Sequence, residues 1–304
     1  LGGRGLGVKF VYDLVEPGLD PFSPENILVF AAGPLTGTTC PTSGRFATVS
    51  KSPLTGTIFD CSSGGNFGPE LKFAGLDGLL IFGKSDEPVY LEIDNGKISL
   101  KDANHLWGKN TREVTRELSR FGRVACIGRA GEKGVRFANI MNDYTHTCGR
   151  GGLGAVMGSK NLKAIVVRGE KKIPLFDRQR YKKYFQDITR LLIASPVSSK
   201  GLNEYGTAVL VNLINYMKIL PTGNFRLSRF DFAEEISGER INSAFPIKKT
   251  PCYACPIACK REVRDTEMEI PEYETISMFG SSCRISSIET VMKANRICNE
   301  YGMD

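Results

Sequence analysis

The sequence predicts an α+β protein, β-rich over residues 1–170 and helical over residues 175–304. Two observations carry this division. Up to about Arg168, short alternating or continuous apolar runs are separated by glycine-rich turns, which is the pattern of strands. Beyond the linker Glu170–Pro174, apolar residues recur at helical spacing between capping residues.

In the first half, Leu79–Phe82, Val89–Ile93, Ile98–Leu100, Arg123–Ile127, Val135–Ile140 and Ala164–Val167 read as strands. Asp94-Asn95-Gly96-Lys97 reads as a hairpin turn, because Asn-Gly tolerates the positive φ angles of a type I′ turn. One helix interrupts the series at Thr111–Phe121, where Val114 and Leu118 lie four apart. In the second half, Asp177–Ala194 opens on an N-cap residue, Thr207–Ile219 stops at Pro221, and Ser286–Tyr301 is followed by Gly302.

At 304 residues with 41% hydrophobic content, the chain buries one large core or two ordinary ones. Its net charge of +7 is spread thinly over 40 basic and 33 acidic residues, with no basic run and no nucleic-acid motif. No apolar run approaches the roughly 20 residues of a membrane helix, and Leu1-Gly2-Gly3-Arg4-Gly5 is no signal peptide. The expectation is a soluble, cytoplasmic protein without a nucleic-acid or membrane partner. A start without Met and an end at Tyr301-Gly302-Met303-Asp304, just after a helical pattern, lead us to expect a piece of something longer.

Nine cysteines are too few for a disulfide scaffold in a chain of this size, and their odd number argues against complete pairing. Cys252, Cys255 and Cys259 have the spacing C-x2-C-x3-C. Such spacing lets thiolates of one short segment converge on several irons of one cluster, while apolar neighbours limit solvent. A four-iron cluster needs a fourth thiolate, from Cys283, Cys298 or a residue beyond Asp304. Zinc is the chemical rival, but no second C-x2-C or H-x3-H pair exists here. Three buried inert thiols are the bland alternative. Cys40, Cys61, Cys126 and Cys148 lack ligand spacing and read as packing residues.

Three glycine-rich segments, Ala31–Arg45, Cys61–Gly68 and Gly149–Asn161, would let backbone groups approach phosphates, an ion or a flat cofactor. Tight turns in a β-rich domain explain them equally well. The last segment fails the Walker A template, with Leu153 at its first glycine and Ser159 at its lysine, and its G-x-G-G-x-G run lacks the strand–turn–helix context of a dinucleotide fingerprint.

Taken together, Leu1-Gly2-Gly3-Arg4-Gly5-Leu6, Ala31-Ala32-Gly33-Pro34-Leu35-Thr36-Gly37-Thr38, Lys51-Ser52-Pro53-Leu54-Thr55-Gly56, Glu70-Leu71-Lys72-Phe73-Ala74-Gly75, Gly149 through Ile165 and the cysteine cluster resemble the aldehyde:ferredoxin oxidoreductase family. The resemblance implies a tungsten or molybdenum bis-pyranopterin centre, a 4Fe-4S cluster and a Mg²⁺ bridging the pterin phosphates. It implies a saddle-shaped pterin-binding domain over residues 1–170 and part of a helical domain over 175–304. It also places the fourth cluster cysteine, D-x-x-G-L pterin loops and a histidine near the metal beyond Asp304.

Residue by residue, Arg45 matches an arginine at the pterin phosphate region, where its fork suits phosphate oxygens. Ser62 and Gly64 occupy the saddle loop, with Ser62 in place of an expected Asn and offering Mg²⁺ its main-chain carbonyl. Thr147 takes the second carbonyl position, and His146 stands where relatives carry Arg, which makes this phosphate contact pH-sensitive. Glu274 matches the carboxylate beside tungsten, with Tyr273 next to it; on local sequence alone this pair reads as a helix N-terminus with a packed aromatic.

The implied reaction is oxidation of a small aldehyde to a carboxylate, with electrons passing through the cluster to ferredoxin or a similar carrier. The expected assembly is a homo-oligomer or a complex with electron-transfer subunits. Two other readings stand beside it: the catalytic subunit of a benzoyl-CoA type reductase, and a non-catalytic iron–sulfur or zinc-binding protein.

Overall fold

The computed structural model describes residues 2–304; Leu1, the first residue of the Leu1–Leu6 stretch, lies outside the described residues. The chain divides into two units, Leu1–Phe176 together with Cys298–Asp304, and Asp177–Ile297.

In the first unit, β1 (Leu28–Ala32), β2 (Phe46–Lys51), β3 (Ile58–Ser63) and β4 (Gly78–Ile81) form an antiparallel sheet in the order β3-β2-β1-β4. A second sheet holds β5 (Val89–Asp94), β6 (Lys97–Asp102), β7 (Arg123–Cys126), β8 (Ile140–Asn142), β9 (His146–Cys148) and β10 (Leu162–Arg168) in the order β6-β5-β10-β7-β8-β9. Within it β10 runs parallel to β5, and every other pairing is antiparallel.

Side chains alternate across a strand, and both faces of the central strands are used. Val29, Ala31, Ala47 and Val49 meet Val11 of helix α1 (Gly3–Leu14), while Leu28, Phe30 and Phe46 turn into the main core. A Cβ on Gly7 would lie 2.4 Å from Val49 Cγ2, so this glycine is what lets α1 approach the sheet.

The second sheet gives Ile93, Ala125, Ile165 and Val167 to the same main core. Its other face, with Val124, Ala164 and Val166, packs on Val114 and Leu118 of α3 (Thr111–Leu118). Side chains of α2 (Phe67–Phe73) and α5 (Leu153–Ser159) complete the core, where the rings of Phe30 and Phe46 stand 6.1 Å apart and those of Phe46 and Phe67 5.0 Å apart.

Beside the short helix α4 (Arg129–Glu132), Lys163 of β10 is fully buried and pairs with Glu132 at 2.5 Å. Its ammonium also donates to the Lys109 carbonyl at 2.9 Å, and Glu132 accepts the Gly108 N–H at 2.9 Å. A buried charge pair persists only with its remaining groups satisfied in this way.

Five of the six expected strands coincide with β4, β5, β6, β7 and β10 to within a residue or two, but β1, β2, β3 and β9 were not read from the sequence. Val135–Ile140 is a correction: only Ile140 enters a strand, because Val135 N–H bonds the Ala130 carbonyl and Ala138 N–H the Val135 carbonyl, turning the chain locally. The expected helix Thr111–Phe121 ends as α3 at Leu118, and its start carries a reciprocal cap between Asn110 and Glu113.

In the second unit, α6 (Arg178–Ala194) is capped by the Asp177 side chain. It is followed by α7 (Leu202–Tyr205), α8 (Leu210–Tyr216), α9 (Gly238–Ala244), α10 (Tyr273–Thr275) and α11 (Ile288–Tyr301), whose last residues are counted with the first unit. Val211, Leu220, Ile236, Ile241, Ile276 and Val291 form its core. The expected helix Thr207–Ile219 is a 3₁₀ turn, Gly206–Val209, leading into α8.

The expectation of a purely helical second domain needs correcting, since this unit contains a hairpin of β11 (Ile247–Lys249) and β12 (Arg261–Val263), paired Ile247↔Val263 to Lys249↔Arg261. Ile276–Ser282 continues α10 as a π-helical segment.

We expect Glu132→Gln to lower the unfolding free energy by about 3–5 kcal/mol, the cost of leaving a buried ammonium without its counter-charge. Denaturant titration measures it, and a loss under about 1 kcal/mol would show the pair to be dispensable.

Candidate functional site

In the first unit, the end of β3 runs through Ser62-Ser63-Gly64-Gly65-Asn66 into α2, and this turn faces the β8–β9 hairpin. Asn142 donates to Ser63 Oγ at 2.6 Å, and Asn66 N–H donates to the Asp143 carboxylate at 2.5 Å. Gly65, at φ +84°, points the place of a side chain at Asp143 Oδ2 (2.6 Å), Asn142 Oδ1 (2.8 Å) and the His146 ring (3.3 Å). Only glycine accepts both that backbone and that crowding.

Arg45, exposed beside β2, donates from Nη2 to the Ser62 carbonyl at 2.9 Å. The structure therefore brings Arg45, Ser62, Gly64, His146 and Thr147 to neighbouring strand ends of one unit. Two buried oxygens there, Asn142 Oδ1 and Thr147 Oγ1, have no hydrogen-bond partner. Unsatisfied buried oxygens beside an arginine fork and main-chain carbonyls make a donor set that suits a hard cation and a phosphate.

Asn142 and Asp143 were missed by sequence reasoning. Asp143 and Tyr144 both adopt positive φ, which gives the pair the look of an ordinary turn. Burial pushes the Asp143 carboxyl above its usual range, and the Asn66 N–H and Arg123 only partly offset this.

Of the three glycine-rich segments, Gly149–Asn161 is largely consumed by packing. A Cβ at Gly152 would meet the Arg136 carbonyl at 2.1 Å, at Gly154 the Asn139 carbonyl at 2.2 Å, and at Gly158 the Gly131 carbonyl at 2.1 Å.

In the second unit, the three cysteines lie in the loop between β11 and β12, which Thr250 N–H closes onto the Lys260 carbonyl at 2.9 Å. Cys255 N–H bonds the Cys252 carbonyl at 3.1 Å, and Ala254 and Ala258, each just before a cysteine, take left-handed φ values of 52° and 51°. All three thiols are half-buried. Burial pushes the Cys259 thiol up to about 11, and the charges of Glu272, Cys252 and Cys255 push the same way. Among the described residues, no three His, Cys, Asp or Glu side chains stand close enough to hold a single metal ion.

Glu274 is exposed on the short helix α10, and burial raises the pKa of the neighbouring Tyr273. A second carboxylate, Glu272, lies near the cysteines, and sequence reasoning missed it. It accepts from Thr207 Oγ1 and lies 3.5 Å from Lys260 Nζ, while Thr207 Oγ1 in turn accepts the Tyr273 N–H at 2.9 Å. Burial opposes the Lys260 ammonium, but Glu272 and Glu269 outweigh it and hold its pKa above that of a free lysine.

Compared with known proteins, residues 1–169 match the family model of the aldehyde ferredoxin oxidoreductase N-terminal domain, and residues 183–304 that of domains 2 and 3. The chain belongs to the aldehyde ferredoxin oxidoreductase family.

Within the family it is 46% identical to the tungsten-containing aldehyde ferredoxin oxidoreductase of Pyrococcus abyssi over 100% of this chain and 51% of that protein. The enzyme of the same name from Pyrococcus furiosus is also 46% identical, with 100% and 52% covered. Among solved structures, the active-site complex BamBC of benzoyl coenzyme A reductase, bound to 1,5-dienoyl-CoA, superposes with a TM-score of 0.86 at 31% identity, covering 100% of this chain and 49% of that one. The chain thus spans about half the length of the curated relatives it matches.

Asp143→Ala should strip the Asn66 N–H of its acceptor. We expect faster amide exchange at Asn66 and Phe67 and a loss of about 1–3 kcal/mol in stability. Unchanged exchange at Asn66 would mean that the two turns are not coupled.

Proposed function

We propose that this chain is part of an oxidoreductase that converts aldehydes to carboxylates at a tungsten or molybdenum bis-pyranopterin centre and passes electrons through a 4Fe-4S cluster to ferredoxin or a similar carrier in the cytoplasm. The observation that carries this reading is the 46% identity to tungsten-containing aldehyde ferredoxin oxidoreductases, sustained over the whole chain.

The residues present fit these groups. Arg45 and the unpartnered oxygens of Asn142 and Thr147 suit a phosphate and its cation, and three half-buried thiols sit in one closed loop. In this reading the metal and pterins supply the two-electron chemistry when bound, and the protein binds, orients and moves protons. Residues 1–170 form the saddle under the pterins. Arg45 leaves the Ser62 carbonyl for phosphate oxygens, His146 adds a contact that strengthens when its ring is protonated, and Ser62 and Thr147 present main-chain carbonyls to Mg²⁺. Gly64 leaves room for close approach.

Residues 175–304 bring Cys252, Cys255 and Cys259 as three cluster ligands. Glu274 acts as general base or proton relay, with Tyr273 beside it.

The likeness to the benzoyl coenzyme A reductase complex favours a second reading, reduction of an aromatic acyl thioester on the same scaffold. Its lower identity, 31% against 46%, places it behind.

In the intact enzyme, Glu274→Gln should lower turnover by about 10²–10⁴-fold, the usual worth of a general base, while tungsten and iron contents stay normal. Full activity would remove Glu274 from the mechanism. Assays with a small aldehyde and with an aromatic acyl thioester separate the two enzymatic readings, and iron without tungsten, molybdenum or pterin would leave a non-catalytic iron–sulfur protein.

A further inference from the structure

Arg261 opens β12, two residues after Cys259, and its side chain is buried, with only 2% of the residue exposed. Its guanidinium is fixed from one side: Nη1 donates to Asn242 Oδ1 at 2.9 Å and Nη2 to the Asn203 carbonyl at 2.7 Å. Both partners are uncharged. The third kind of donor, Nε–H, is buried without any partner. A buried donor left unsatisfied is costly, so such a group calls for an acceptor.

Gly206 shows that this donor lies beside the Cys259 main chain. A Cβ built there would come within 2.8 Å of the Cys259 carbonyl and 3.4 Å of Arg261 Nε, so both atoms face the same glycine. The glycine adopts φ 64°, ψ −161°, a backbone region other residues avoid. Burial disfavours the Arg261 charge, and an ionised Cys259 thiol would oppose this. Lys260, by contrast, is already engaged by Glu272.

We infer that Arg261 donates its free Nε–H to the sulfur of Cys259 when the cluster proposed above is bound there, and so raises the cluster's reduction potential. The inference rests on that cluster reading. A hydrogen bond and a positive charge at a cluster sulfur stabilise the reduced, more negative state. Arg261 is on this account a tuning residue and not a ligand, and the two bonds to Asn242 and Asn203 aim its Nε. Arginine suits the task because its planar fork can be held at one edge while donating from another, which a lysine ammonium cannot reproduce.

The test uses the intact, metal-loaded enzyme. Iron and acid-labile sulfide are counted first, the midpoint potential is measured by EPR-monitored titration, and the reduced cluster is examined by pulsed EPR in H₂O and D₂O for an exchangeable proton coupling. In the wild type we expect that coupling. In Arg261→Gln it should vanish and the midpoint should move to more negative values. In Arg261→Lys, which keeps the charge and guards against misfolding of the first variant, the coupling should also be lost, with a smaller shift.

A cluster at full occupancy whose midpoint and proton coupling are unchanged in either variant would overturn the inference. Wild-type enzyme without iron and sulfide would overturn the cluster reading itself, and this inference with it. A merely structural arginine would change stability and leave the exchangeable coupling in place.

Discussion

One apolar core shared by two sheets is the constraint from which the rest of the first unit follows. Because β1, β2 and β10 are buried along nearly their whole length, their polar main-chain groups are satisfied by neighbouring strands, and both faces must be covered by something apolar. Helix α1 covers one outer face and α3 the other, while α2 and α5 fill the space between the sheets. Turns that carry polar chemistry are thereby displaced to the strand ends. That is where Ser62–Asn66 meets Asn142–Thr147.

The second unit solves a smaller version of the same problem. A three-residue ladder is too short to be stable alone, yet it brings the two ends of the cysteine segment together, and Val263 of the hairpin reaches the unit's core. The polar residues around it, Lys260, Arg261, Glu272 and Thr207, are arranged in pairs, with the Arg261 Nε as the exception.

Legibility in the sequence followed locality. The cysteine trio was readable because its spacing is a property of nine consecutive residues, and Asp177 and Gly302 announced helix ends by their own chemistry. Helix α1 was not readable, since Gly3, Gly5 and Gly7 depress its intrinsic propensity and packing against Val49 is what repays Gly7. Strand β2 hid behind Thr48 and Ser50, polar residues that are nonetheless fully buried, with the Ser50 hydroxyl bonded to the Ile27 carbonyl at 2.6 Å. The hairpin β11–β12 reads as a charged stretch because Lys248, Lys249 and Glu262 lie in it, with Lys248 paired to Glu262 across the strands at 2.7 Å. Asn142, Asp143 and Glu272 gain their roles only from partners distant in the chain, and Arg261 is aimed by the distant Asn203 and Asn242, so no window of sequence contains the signal.

The two left-handed alanines of the cysteine loop set a limit of a different kind. At φ near 50°, a backbone tolerates Gly, Asn or Asp readily and a small Ala at some cost, whereas β-branched and bulky side chains are strongly disfavoured. The positions before Cys255 and Cys259 are therefore restricted by chain handedness and not by anything sulfur requires. Apart from the cysteines themselves, variation within this loop should be narrow at two residues that ligate nothing.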